Sequence, residues 1–327
     1  MTIILFVQWS AVMAVALYAL IKGADLFIDG AKNIGLKIGL SSFAVGVLIV
    51  GMGTSLPELT SSLAAVWAGV PDIVISNAVG SNITNILLIV GVMAFFGGRV
   101  IIHQNLLKTE LPIFAIATLH FAASLMDGVI DRIEAVLLLA TFGAYMWYII
   151  YESKHDLDGD GIADNSAPQV MSEATNAPTL TRSIIISILG LIALVVGAKY
   201  TVDMAVNIAT GFSIPVAFVS ITAIAIGTSL PELMVTIQAI RNKQTEMGIG
   251  NIFGSNAFNM LVVVGVPAAI VPQIADPIVM ELGLGIMLVA SIIFFISGLA
   301  RQIMRWEGLM MLIFFVFFMV KLVELIV

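Results

Sequence analysis

The sequence predicts an all-α integral membrane protein of ten transmembrane helices, built as two inverted five-helix repeats. Three observations carry that expectation. Of 327 residues, 60% are hydrophobic and only 11% are charged, against roughly 25% charged in an average soluble domain. Apolar runs of about 20 residues, each long enough to cross a hydrocarbon core of about 30 Å, recur from one end of the chain to the other. Finally, the chain resembles itself at a fixed offset of 174 residues.

The spans run, in order, over residues 3–21, 41–67, 73–96, 111–126, 133–150, 183–198, 215–240, 247–271, 281–299 and 309–327. The first has no Lys or Arg before it and no small-residue cleavage site after it, so it is expected to be a retained helix rather than a signal peptide. Lys and Arg accumulate in cytoplasmic loops. With both termini outside, eleven bases (Lys22, Lys32, Lys37, Arg99, Lys108, Lys154, Arg182, Arg241, Lys243, Arg301 and Arg305) fall inside, and only Arg132, Lys199 and Lys321 fall outside. Residues 1–151 are then the first repeat, 152–182 an acidic cytoplasmic linker and 183–327 the second repeat. Short loops and the lack of a targeting segment point to a prokaryotic plasma (inner) membrane.

The net charge of −7 does not describe an acidic surface, because six of the 21 acids (Glu152, Asp156, Asp158, Asp160, Asp164 and Glu173) lie in the linker. Nothing in this pattern suits nucleic acid. The absence of Cys removes disulfides, thiolate catalysis and Cys-based zinc sites. His103, His120 and His155 are too scattered to suggest a metal cluster. There is no Ser/His pairing at a consistent depth and no HExxH, so no enzyme and no cofactor are expected.

The repeat is densest where the chemistry lies. Gly53-Thr54-Ser55-Leu56-Pro57-Glu58-Leu59 recurs as Gly227-Thr228-Ser229-Leu230-Pro231-Glu232-Leu233. Gly80-Ser81-Asn82 with Asn85 recurs as Gly254-Ser255-Asn256 with Asn259, and Asn77 recurs as Asn251. Five spans is an odd number, so the two copies must lie upside down relative to each other, an architecture that places a substrate site near the midplane of many secondary transporters.

Glu58 and Glu232 each sit deep in a span. A carboxylate there costs about 2.5–3.5 kcal/mol on insertion scales and usually lines a pathway; the competing reading is a protonated Glu bonded between helices. Pro57 and Pro231 cannot donate to the carbonyls of Gly53 and Gly227, which are expected to be freed and available to a cation. Helical spacing puts Thr54 with Glu58, Thr228 with Glu232, Asn77 with Ser81 and Asn85, and Asn251 with Ser255 and Asn259 on shared faces. Such an all-oxygen set suits calcium, which takes 6–8 oxygens at about 2.3–2.6 Å. For Ser55 and Ser229, close helix packing through small side chains is the alternative use.

These paired motifs resemble the two alpha repeats of the cation/calcium antiporter superfamily, specifically its sodium/calcium exchangers. The resemblance covers both repeats and the ten-span layout. It implies transport of Ca²⁺ and Na⁺, with Glu58 and Glu232 binding both ions. It further implies that Thr54, Ser55, Thr228, Ser229, Ser81, Asn85, Ser255 and Asn259 complete the sites. Some relatives, including potassium-dependent ones, carry Asp where this chain has Asn259. A Ca²⁺/H⁺ antiporter on the same fold and a passive cation channel are the alternative functions. The segment Asp156–Asp164 has acids at positions 1, 3, 5 and 9 of a calcium loop and Gly at 6, but Ala167 stands at position 12. It reads either as a weak regulatory calcium site or as a solvated linker.

Overall fold

The computed structural model describes residues 3–70, 72–98, 100–102, 110–155, 178–212 and 227–326. The helices are α1 (Ile3–Ile38), α2 (Ser42–Trp67), α3 (Asp72–Gly97), α4 (Glu110–Ser124), α5 (Arg132–His155), α6 (Leu180–Gly211), α7 (Leu230–Arg241), α8 (Thr245–Ile270), α9 (Val279–Leu299) and α10 (Arg305–Ile326). Among the described residues, eight are long and apolar enough to cross a membrane, and α4 and α7 are shorter. The chain is an integral membrane protein. The segment Asp156–Asp164 lies outside the described residues.

Two spans are much longer than hydropathy suggests. α1 continues past Ile21 to Ile38 and α6 past Ala198 to Gly211, so Lys22, Lys32 and Lys37 are helical residues rather than loop residues, as is Lys199. At 36 and 32 residues, these helices are roughly 50 Å long at 1.5 Å per residue and must tilt to fit a core of about 30 Å. In α1 the polar half has one buried face: Ala24, Phe27, Ile28 and Ala31 are packed away while Lys22 is exposed and paired with Asp25 at 3.4 Å.

α1 and α6 run antiparallel at backbone contact. A Cβ on Gly23 would meet Leu194 N at 2.4 Å, on Gly190 Phe27 N at 2.4 Å, and on Gly197 Leu20 N at 2.5 Å. Small residues let membrane helices approach this closely, so dispersion contacts can bind them where lipid offers no hydrophobic drive. A second close seam joins α2 to α8, where a Cβ on Gly46 would meet Met247 O at 2.4 Å and one on Gly250 would meet Phe43 O at 2.4 Å. The remaining helices close a large apolar core around Phe114, Phe253 and Phe294.

Four two-residue strands, β1 (Val100–Ile101), β2 (Val129–Ile130), β3 (Gln273–Ile274) and β4 (Gln302–Ile303), tie loops together. β1 pairs antiparallel with β4 and β2 with β3. The α3–α4 and α9–α10 connections therefore share one end of the bundle, as do the α4–α5 and α8–α9 connections.

Candidate cation site

Both acid-bearing motifs break their helices at the same point. Ser55 has φ −88° and ψ 6°, and Ser229 has φ −85° and ψ 5°. The helix restarts at Leu56 and at Leu230 with its proline in the first turn, where a missing N–H costs nothing. Glu58 and Glu232 thus occupy first helical turns, an end whose dipole favours negative charge. This corrects the expectation that Thr54 and Glu58 lie on one continuous helical face: Thr54 ends one helical piece and Glu58 begins the next. The Ser55 N–H closes the first piece by donating to the Gly51 carbonyl at 3.2 Å.

The polar contacts run between the two halves of the chain. Ser55 Oγ donates to Glu232 Oε1 at 3.0 Å. Thr54 Oγ1 lies 3.2 Å from Asn251 Oδ1 and 3.4 Å from Ser255 Oγ, and Ser255 Oγ donates to Gly51 O at 3.1 Å. On the other side Ser81 Oγ and Thr228 Oγ1 are 3.5 Å apart. Periodicity within one helix could not anticipate these partners, since each joins residues at least 147 positions apart.

Asn77 and Asn251, noted in the sequence only as part of a face, hold the acid-bearing helices in place. Asn77 Nδ2 donates to Glu58 O at 3.3 Å and Ser62 Oγ at 3.1 Å. Asn251 Nδ2 donates to Glu232 O at 3.4 Å and Thr236 Oγ1 at 3.0 Å. The two sets match residue for residue at the 174-residue offset. That offset was the signal that could have found them.

Thr54, Ser55, Glu58, Ser81, Asn85, Ser229, Glu232, Ser255 and Asn259 are all buried, while Gly227 and Thr228 are half-buried. Among the described residues, both oxygens of Glu58 and Oε2 of Glu232 have no hydrogen-bond partner, nor do Ser229 Oγ or either amide atom of Asn85 and Asn259. The two asparagines lie in matched π-helical stretches, Thr84–Val90 and Asn259–Val263, widened turns that recur at functional sites. A buried polar atom without a partner costs about 1–3 kcal/mol, more if charged. Several orphaned oxygens beside two carboxylates can be satisfied together by a hard cation, for which oxygen ligands are the natural partners. No group of three His, Cys, Asp or Glu residues able to hold a metal occurs among the described residues, so neutral amide and hydroxyl oxygens must supply most of any coordination shell.

A helical membrane protein with paired buried acids at matched positions and neutral oxygens around them is a cation-handling transporter by architecture. The chain belongs to the sodium/calcium exchanger protein family, whose model matches residues 9–151 and 182–323. It is 30% identical over 340 residues to the sodium/calcium exchanger MaX1 of Methanosarcina acetivorans, covering 95% of this chain and 97% of that one. It is 33% identical over 286 residues to the inner membrane protein YrbG of Escherichia coli, covering 87% of each. Its fold matches the solved sodium-calcium exchanger NCX_Mj with a TM-score of 0.80 at 28% identity, over 99% of this chain and 100% of that one. The family is one of cation/calcium antiporters rather than of enzymes.

Proposed function

We propose that the protein exchanges Na⁺ for Ca²⁺ by alternating access, through a midplane site in which Glu58 and Glu232 serve both ions. The observation that carries this reading is the pair of buried carboxylates, with three of their four oxygens unpartnered, at matched positions of the two repeats. Thr54, Ser55, Thr228, Ser229, Ser81, Asn85, Ser255 and Asn259 complete the oxygen set, with the backbone at Gly53 and Gly227 beside it. Two carboxylates balance one Ca²⁺ electrically. Bare, they resist passage through a dry barrier, so each reorientation must carry cations and the two fluxes are coupled.

In the same reading, ten crossings form two inverted halves, residues 1–151 and 183–327, joined by the cytoplasmic linker 152–182, with both termini outside. The pairing of β1 with β4 and β2 with β3 supports this, since alternating crossings put those loops on common sides. The similarity to an inner membrane protein supports a prokaryotic inner-membrane location.

The test is radioactive calcium uptake into proteoliposomes loaded with Na⁺, Li⁺ or protons. Uptake driven by an outward Na⁺ gradient and lost in Glu232→Gln is the expected result. Uptake driven equally by protons would replace this reading with Ca²⁺/H⁺ antiport, and uptake needing no gradient would replace it with a channel.

A further inference from the structure

α1 turns one stripe of side chains outward. Val15, Tyr18, Lys22, Asp25, Asp29 and Lys32 follow one another at alternating spacings of three and four, which keeps them on one side of a helix. At its start the stripe is uncharged, with Val15 70% and Tyr18 67% exposed, as suits a side that faces lipid. Further along, the same side carries ions: Lys22 and Asp29 are exposed, and Asp25 and Lys32 half-buried.

These charges lie level with the candidate cation site. Phe27 belongs to the same stretch of α1, and a Cβ on Gly53 would be 2.7 Å from its Cζ. Lys22 and Asp29 are no more than five residues from Phe27, about 8 Å along the axis at 1.5 Å per residue. Ionisable side chains at such a depth are expensive against lipid and normally face protein or water. Lys22 and Asp25 pair along the helix at 3.4 Å, yet their side chains stay 56% and 27% exposed. Residues 156–177 hold five acids and no base, and residues 213–226 no charge at all, so neither stretch can neutralise Asp25 and Asp29.

We propose that a second copy of this chain covers the stripe, α1 against α1. Copies inserted in the same direction are related by a two-fold axis along the membrane normal, so each helix can meet its own image in parallel. The alternating spacing is that of helices packed at a shallow crossing angle. The charge order is self-complementary: Lys22 of one copy lies one layer from Asp25 of the other, Asp29 one layer from Lys32, and the symmetry makes each pair twice. Val15 and Tyr18 extend the contact with uncharged surface. The pairing replaces lipid around the ions with groups of opposite charge.

This proposal needs the chain in a membrane but not the antiport reading, and it can be tested without transport. The chain has no Cys, so single cysteines report one contact at a time in proteoliposomes. Tyr18→Cys and, as a second reporter, Val15→Cys should give disulfide-linked dimers on mild oxidation. Leu17→Cys, at a position 38% exposed but off the stripe, should give several-fold fewer. Dilution with further lipid should change the Tyr18→Cys yield little. Adding Lys22→Glu should lower it several-fold, and so should adding Asp25→Lys. Mixing the two charge variants should restore it, because their charges are then alike within each helix but opposite across the contact. A role confined to the Lys22–Asp25 pair of one helix gives no such recovery. No dimer from either reporter would overturn the proposal, as would a yield indifferent to both charge variants or no recovery in the mixture. A lack of Na⁺-driven uptake with the crosslinking pattern intact would count against the antiport reading alone.

Discussion

Ser55 donates to Glu232 Oε1, yet its matched partner Ser229 has an unpartnered hydroxyl and Glu58 has two unpartnered oxygens. The two acids are thus held unequally. A hydrogen bond to a charged group is worth about 1.5–3 kcal/mol, so Ser55→Ala should raise the KM for Ca²⁺ at least tenfold, by that same range. Ser229→Ala breaks no bond of the ion-free site but removes an oxygen of the proposed set, and should raise it as well; measured uptake kinetics of the two variants check both. Asn259 is the second informative position. Carboxylates bind cations only when ionised, so protons compete and uptake should fall on acidification. Asn259→Asp adds a third carboxylate and should make that fall steeper, which a pH profile of Na⁺-driven uptake would reveal.

At the scale of elements, α1 and α6 form a glycine-lined pair against the rest of the bundle, and they are our candidates for the moving part. Gly190→Leu places a side chain where Phe27 N would lie 2.4 Å from its Cβ, and should abolish turnover by prising the pair apart. A crosslink from α1 to the bundle tests movement itself. Val45 Cγ2 of α2 fills the space beside Gly35 of α1, so Gly35→Cys combined with Val45→Cys, once bridged, should arrest transport reversibly. Unchanged uptake in the bridged protein would rule out sliding at that contact. Hydropathy stopped both long helices at their first lysine, Lys22 and Lys199; in α1 a window average cannot see that one face of the polar half, Ala24, Phe27, Ile28 and Ala31, is buried.

For the whole molecule, a cation that binds the folded site stabilises the fold by mass action, by about 2.7 kcal/mol at a hundred times its Kd. Purified protein should therefore melt at a higher temperature in Ca²⁺, and Glu58→Gln should remove that increment. Equal Ca²⁺ stabilisation in the variant would place the ion elsewhere. Topology has its own test: a protease site introduced at residues 152–182 should be cut only from the cytoplasmic face, and one at either terminus only from outside.

The helical membrane class, the duplicated motifs and the acids Glu58 and Glu232 were legible in the sequence, because apolar length and a constant offset are properties of the chain alone. So was the loss of a backbone donor at Pro57 and Pro231, since proline acts on its own helix, although the break at Ser55 and Ser229 was not. What only the tertiary structure decided is partnership: that Ser55 belongs to Glu232 and Thr54 to Asn251. Those facts depend on where two distant segments meet. Two copies of a motif carry the same letters, but the fold places them in different surroundings.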